Sequence, residues 1–333
     1  VGRLLGAAGG CEKLLPLAEA LMSGEGYTCC EAMRLVGHCA AARILRRLGH
    51  RIPEGLLSAA ITSPSGGSSL RDPGIEARRV EGDGWRLWGV KVFATNGLGA
   101  DAYVVYASAE GEPAVMLVRG REGVEAEPMG LAAYSCSGVA RLLLRGAPAA
   151  AVAVGREARR AVVAGLGENR VLVAALAVGL ARRGLRLAAA WAVERGAAGY
   201  QAVAHRLARG HVLLEAASAL VRERAARLDS GEELGLEETS AAKYFAVEAA
   251  VEAVRAARLT LGGYAYAAGA PGEELRRLQL HVEALEPAEG TQDIQLEIVA
   301  RALLGGYRAT SSRRSSSSPS SGNSRTPSSS AST

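Results

Sequence analysis

The chain has 333 residues, of which 49% are hydrophobic and 22% charged, enough apolar content to bury a sizeable core in about two or three domains. Its formal net charge of +5 is carried almost entirely by arginine, since Lys13, Lys91 and Lys243 are the only lysines. An excess of this size fits solvated helix faces and an arginine-bearing tail, so no nucleic-acid partner follows from it. The five cysteines (Cys11, Cys29, Cys30, Cys39, Cys136) show no zinc-finger or redox spacing. Their odd count argues against a disulfide framework and for a reducing cytoplasm. No targeting segment is evident at the start. The longest apolar run, Val171 to Ala181, stops at Arg182 and Arg183, short of the roughly 20 residues a bilayer span needs, so no membrane span is expected.

In chain order, Leu4 to Arg47 reads as helix, interrupted near Gly24 and Gly26. Between Ser58 and Arg145 the pattern turns to strands, clearest at Trp85 to Trp88 and Ala102 to Tyr106, with Glu81-Gly82-Asp83-Gly84 as a hairpin turn. From Arg156 to Leu304 long Ala/Leu/Arg helices return, among them Arg170 to Glu194, Glu238 to Leu261 and Gln292 to Leu304, as in an antiparallel bundle. After Gly306 the Ser-rich sequence has nothing apolar to bury and is expected to be disordered. The expected division is a partial N-terminal helical domain over residues 1–56, a central β-domain over 57–150, a C-terminal helical bundle over 151–306 and a tail over 307–333.

Four stretches share an order that chance rarely produces: Ala60-Ile61-Thr62-Ser63-Pro64-Ser65-Gly66-Gly67-Ser68, Gly89-Val90-Lys91-Val92-Phe93-Ala94-Thr95-Asn96-Gly97, Gly262-Gly263-Tyr264-Ala265-Tyr266, and Glu289-Gly290-Thr291-Gln292-Asp293-Ile294-Gln295. With them, the chain from Gly37 to Leu304 resembles the acyl-CoA dehydrogenase family of flavoproteins. The resemblance implies an α+β multidomain fold, with an N-terminal helical domain and a C-terminal four-helix bundle flanking a β-barrel-like domain. The front is short by comparison, so a truncated chain or a compact variant is expected.

The family's reaction removes an α-proton from a thioester and passes the β-hydride to FAD, because side chains accept hydrides poorly. By resemblance Glu289 is the base, burial raising its pKa toward neutrality, and its backbone N–H joins a flavin hydroxyl on the thioester oxygen. The competing reading makes Glu289 a cap for the helix starting near Thr291. Some family members carry the base instead at the position of Asn169, which cannot serve, and Glu168 would point roughly 100° away. The resemblance places the cofactor on Ile61, Thr62, Gly67, Ser68, Phe93, Thr95, Arg195, Gln201, Gly262, Gly263, Thr291, Gln292 and Asp293, with Arg195 and Gln201 reaching a neighbouring subunit's flavin. It places the acyl-CoA on Ser68, Asn169, Arg170 and Gly290. For Arg170 a surface salt bridge is an equal reading. Phe93 and Thr95 should share one face of a strand by period two, and could equally belong to an ordinary half-buried hairpin. No metal site is expected, since the five histidines lack ligand spacing.

Several family letters are changed. Ser63 and Ser69 stand where acids are usual, Ala198 replaces a phenylalanine, Leu280-His281 replace an arginine-aspartate pair, and Ala288 replaces a tyrosine. The expected function is FAD-dependent α,β-dehydrogenation of an acyl-CoA to a 2-enoyl-CoA, in a homodimer or homotetramer that hands electrons to an electron-transferring flavoprotein or equivalent acceptor. The alternative is a non-catalytic subunit that pairs with a complete dehydrogenase. Related nitroalkane and amine oxidising enzymes often carry aspartate in place of the glutamate, and Glu289 counts against them.

Overall fold

The computed structural model describes residues 11–67, 70–81 and 84–315, with side chains through residue 305. Ser68, Ser69 and the tip of the expected hairpin, Gly82 and Asp83, lie outside the described residues, as does 316–333. Among the described residues two helices come first, α1 (Leu14–Ser23) and α2 (Cys29–Arg47). Gly24 ends α1 in the left-handed conformation at φ 69°, and Thr28 opens α2 with a capping box to Glu31.

Seven strands follow: β1 (Leu57–Ala60), β2 (Ile75–Val80), β3 (Gly84–Ala94), β4 (Ala102–Ala109), β5 (Glu112–Arg119), β6 (Val124–Pro128) and β7 (Ala140–Val154). Pairing runs β4-β2-β3-β7-β5, and β5 pairs back onto β4, so these five close a ring while β1 and β6 lie against it. Closure leaves the ring strands without free edges. On β4, Tyr103, Val105 and Ala107 face one buried cluster internal to the sheet, and Ala102, Val104 and Tyr106 face a second shared with the helices. Burial on both faces explains why that strand reads as a continuous apolar run.

The C-terminal helices are α3 (Arg156–Glu194), α4 (Gln201–Asp229), α5 (Leu236–Leu261), α6 (Gly272–Glu283) and α7 (Gln292–Ser315). Helix α3 begins well before Arg170, and α7 runs beyond Gly306 into the stretch expected to be disordered. Arginine, alanine and serine carry at most a modest helix penalty, so an existing helix can extend through them without core contacts. Helix α3 is long and apolar enough to cross a bilayer, but most of its apolar window is buried inside the protein.

Both ends of α1 are satisfied by the C-terminal helices. Asp229 accepts from the backbone N–H groups of Leu14 and Leu15 at 2.7 and 2.8 Å, while Arg182 and Arg186 donate to the carbonyls of Met22 and Ser23, each at 3.0 Å. These are orphan helix-end groups capped from a distance. Close approach of α1 to α3 depends on Gly179, where a Cβ would lie 1.9 Å from the Leu21 carbonyl oxygen. Helices α1 and α2 therefore share one core with the bundle and one face of the sheet.

The expectation of unpaired cysteines is corrected: Cys11 is bonded to Cys39 and Cys30 to Cys136, leaving Cys29 free. Spacing in sequence does not show this, because the second pair is 106 residues apart and meets only through the fold. It ties α2 to the loop between β6 and β7. That loop also docks on α6, where the Tyr134 hydroxyl donates to the His281 carbonyl at 2.7 Å, the Tyr134 N–H to His281 Nδ1 at 3.2 Å, and the rings meet at 4.5 Å. His281, which departs from the family's usual aspartate, thus has a structural partner.

Replacing Gly179 by alanine drives a methyl group into backbone, so it should destabilise the chain by about 3 kcal/mol or more, whereas Gly199→Ala, in open space, should stay within ~0.5 kcal/mol. Urea unfolding of both variants checks the contrast. Thiol titration in denaturant should find one thiol before reduction and five after it.

Candidate active site

The Glu289 carboxyl is held at the meeting of α2, α3, α5 and the turn before α7. Its own backbone is at φ 53°, and Gly290 follows at φ 98°. The turn is fixed from three directions. Arg170 Nε and Gln295 Nε2 each donate to the Glu289 carbonyl at 3.2 Å, and Gln295 also donates to the Gly290 carbonyl at 2.9 Å. Lys243 Nζ donates to the carbonyls of Glu286 (2.6 Å) and Gly290 (3.1 Å) and to Gln292 Oε1 (2.8 Å). Thr291 Oγ1 accepts from the Ile294 N–H at 3.3 Å. Thr291, not Glu289, is therefore the side chain that caps α7, and the capping reading of Glu289 is set aside.

Asn169 Nδ2 donates to Glu289 Oε1 at 2.9 Å and to the Val36 carbonyl at 3.1 Å. The other carboxyl oxygen, Oε2, is buried with no hydrogen-bond partner. Burial pushes the Glu289 carboxyl up to about 7, against the opposing effects of the Asn169 hydrogen bond and the charges of Arg170 and Lys243. Lys243 is moved the other way, down to about 8, first by burial and then by Arg170. Glu168 turns aside as the helical step requires: it pairs with Arg43 at 3.0 Å and with Arg47. Arg170 is buried and also donates to Ser240 at 3.0 Å, so the surface salt-bridge reading does not apply to it.

A second group of expected residues lies on the sheet side. The Val92 N–H donates to the Thr62 carbonyl at 3.0 Å, which sets Phe93 beside Thr62. Lys91 Nζ holds the Ile61 carbonyl at 2.7 Å. Phe93 sits at φ 54° and is 55% exposed, where β3 loses register against β7 between Lys91 and Ala94. The period-two expectation for Phe93 and Thr95 therefore fails at this bulge. Thr95 packs its methyl on Gly37 of α2, where a Cβ would approach within 2.6 Å. The two groups meet on α2: Val36 receives Asn169, and Gly37 receives Thr95. Gly67 is exposed and packs toward Thr62.

The remaining expected residues are elsewhere. Arg195 stacks on Tyr264 at 4.7 Å and Trp191 at 5.8 Å, grouping it with the exposed Gly262 and Gly263; Gln201 is exposed at the start of α4. By helix rise, Arg195 lies about 39 Å along α3 from Asn169. One small ligand cannot touch both within a chain. Gln292 is committed to the bundle through Lys243, the Tyr244 carbonyl at 3.2 Å and Glu248 at 3.1 Å, and Asp293 is exposed. Two site residues escape sequence reading. Lys243 and Gln295 support the turn, and scarcity is the only signal for the first: in a chain that uses arginine almost everywhere, a retained lysine marks a place for a compact ammonium.

Residues 159–304 match the sequence profile of the acyl-CoA dehydrogenase C-terminal domain. Most of the chain has the fold of solved acyl-CoA dehydrogenases. It is similar to butyryl-CoA dehydrogenase from Megasphaera elsdenii at TM-score 0.78 and 23% identity, over 87% of this chain and 81% of that one. Glutaryl-CoA dehydrogenase from Mycobacterium smegmatis in complex with FADH2 gives 0.75 and 22%, over 87% and 79%. The prolyl acyl carrier protein oxidase AnaB gives 0.77 and 24%, over 91% and 86%. A search of curated proteins found no match. Within the acyl-CoA dehydrogenase fold, this chain's glutamate, asparagine and arginine cluster is formed by α3 and the turn preceding α7.

Because the native carboxyl of Glu289 keeps its proton up to about pH 7 while the unfolded one loses it near 4.5, native stability is eroded as pH rises across that interval. Glu289→Gln cannot ionise. The stability of the variant relative to the native chain should therefore increase by about 2–3 kcal/mol between pH 4.5 and pH 8, read from urea unfolding at each pH.

Proposed function

We propose that this chain is an FAD-dependent acyl-CoA dehydrogenase in which Glu289 takes the α-proton of the thioester. The observation that carries the reading is the Glu289 Oε2 atom, buried and unpartnered on a carboxyl whose pKa is raised to about 7. A buried acceptor left unsatisfied costs free energy unless a ligand uses it. A base poised near neutrality suits proton abstraction at physiological pH.

The residues on the sheet side fit a flavin. The hydroxyls of Thr62 and Thr95 have no partner among the described residues, Phe93 presents an exposed ring beside Thr62, and nothing occupies the space around Gly262 and Gly263. Thr62, Phe93 and Thr95 would hold one face of the cofactor, with Arg195 and the Gly262-Gly263 turn serving a neighbouring copy. FAD would supply the acceptor for the β-hydride. The chain's own residues do the rest. Asn169 fixes Oε1, which leaves Oε2 as the atom that takes the proton. Arg170, Lys243 and Gln295 hold the positive-φ turn rigid, so the carboxyl needs no reorganisation. The backbone N–H of Glu289 makes no hydrogen bond among the described residues and is available to the thioester oxygen.

The test is visible absorption of the purified chain before and after anaerobic addition of an acyl-CoA panel. A flavin band that bleaches is expected; a chain that remains colourless after FAD reconstitution sinks the reading in favour of a non-catalytic subunit. Since the base must be ionised, kcat/KM should rise with pH through about 7 and then level off. Glu289→Gln should keep flavin and ligand while losing about 10²–10⁴ in turnover, and unimpaired turnover would remove Glu289 from the mechanism.

A further inference from the structure

Three side-chain acceptors are buried without a hydrogen-bond partner among the described residues: Glu289 Oε2, Asn169 Oδ1 and Gln295 Oε1. The first two belong to one hydrogen-bonded pair. Asn169 is completely buried on α3, and chemistry fixes the orientation of its carboxamide. Its nitrogen donates to the Val36 carbonyl at 3.1 Å, and a carbonyl can only accept, so the oxygen is the atom turned elsewhere. The second proton of that nitrogen goes to Glu289 Oε1 at 2.9 Å. The donors around the turn are committed. Lys243 spends its three protons on the carbonyls of Glu286 and Gly290 and on Gln292 Oε1, Gln295 Nε2 serves the carbonyls of Glu289 and Gly290, and Arg170 serves the Glu289 carbonyl and Ser240. Glu289 itself, in the ionised form that abstracts a proton, has none to offer. Asn169 Oδ1 is thus an acceptor beside the base with no donor from the chain, and such an atom costs free energy unless a ligand supplies one.

We propose that Asn169 Oδ1 is a specificity determinant, accepting a hydrogen bond from an N–H or O–H group carried on the acyl chain of the substrate. On the dehydrogenase reading, on which this assignment rests, the substrate is an amino- or hydroxyacyl thioester rather than a plain hydrocarbon one. The two unpartnered oxygens divide the substrate between them. Oε2 takes the α-proton, while Oδ1 lies within roughly 5 Å of Oε1, the hydrogen-bond distance plus the width of a carboxamide. A donor that meets Oδ1 is therefore carried on the α-carbon or within a few bonds of it. Because Val36 and Glu289 both hold the nitrogen, the oxygen cannot turn away to find another donor. A hydrocarbon chain would leave it buried and unpaired. A site built to hydrogen-bond a substrate hydroxyl or amine rejects the analogue lacking that group far more strongly than an apolar pocket rejects one extra methylene.

The experiment uses the full chain with FAD and two pairs of thioesters matched in shape: 4-hydroxybutyryl-CoA against pentanoyl-CoA, and 2-aminobutyryl-CoA against 2-methylbutyryl-CoA. Each is followed by calorimetric titration and by the rate of flavin bleaching, for the native chain and for Asn169→Leu, with thermal melts as the control for folding. In at least one pair the native chain should favour the donor-bearing member by about 10²-fold or more, and the pair that does so locates the donor. In Asn169→Leu that ratio should fall to about one or invert. Freeing the Glu289 carboxyl from Asn169 affects both members of a pair alike, so the ratio reads the lost acceptor and not a displaced base. If Asn169→Leu melts early, the ratios of the native chain decide. Equal affinities and rates within both pairs, or a preference that survives the substitution, overturn the assignment. Bleaching by all four thioesters without preference sinks it alone. A donor preference in binding without bleaching sinks the dehydrogenase reading alone, and no binding of any of the four sinks both.

Discussion

Three consecutive polar residues on a buried helix organise the surroundings of Glu289. Glu168, Asn169 and Arg170 follow one another on α3, where the helical step of about 100° sends each to a different neighbour. Glu168 meets Arg43 and Arg47 of α2, Asn169 meets Glu289 and the Val36 carbonyl, and Arg170 meets the Glu289 carbonyl and Ser240 of α5. Polar groups so buried are costly unless paired, so these partners fix the spacing of α2, α3 and α5 as strictly as apolar packing does. The placement of the Glu289 carboxyl is a product of that constraint, because the Asn169 that binds it also spans to α2.

Cation chemistry overlaps between two residue types, since Arg43 and Arg276 each reach two backbone carbonyls as lysines do, but the emphasis differs. Arginine, with its planar fork, closes helix ends and ion pairs: Arg182 and Arg186 over the end of α1, Arg43 and Arg47 on Glu168. Each lysine instead gathers backbone carbonyls. Lys13 takes that of Asp229, Lys91 those of Ile61 and Pro73, and Lys243 those of Glu286 and Gly290. A compact ammonium with three donors suits a carbonyl cage that a guanidinium would overfill. Two of these cages hold the segments that carry the site, the Ile61-Thr62 loop and the turn at Glu289.

The losses noted in the family's motifs have local replacements. Ser63 is buried and hydrogen-bonds to Ser65 at 3.0 Å, and Asp72, from later in the loop, accepts from Ser65 at 3.2 Å and from the Gly74 N–H at 3.0 Å. His281 docks the loop carrying Tyr134, and the Cys30–Cys136 bond ties the same loop to α2. A carboxylate missing at one position therefore does not mean that the loop is unsupported.

The sequence by itself determined the order of helices, strands and helices, the break near Gly24 and Gly26, and the strands at Trp85 and Ala102. These follow from periodicity and from turn chemistry, both of which are local. Only the tertiary structure decided the disulfide pairs, the closure of β5 onto β4, the bulge that separates Phe93 from Thr95, and the role of Lys243. It also placed Arg195 far from Glu289 and gathered Arg47 with Arg156, Arg159 and Arg160 around one cleft. Each of these joins residues distant in sequence, and local pattern fixes the direction of a side chain within its own element but not which element will stand opposite it.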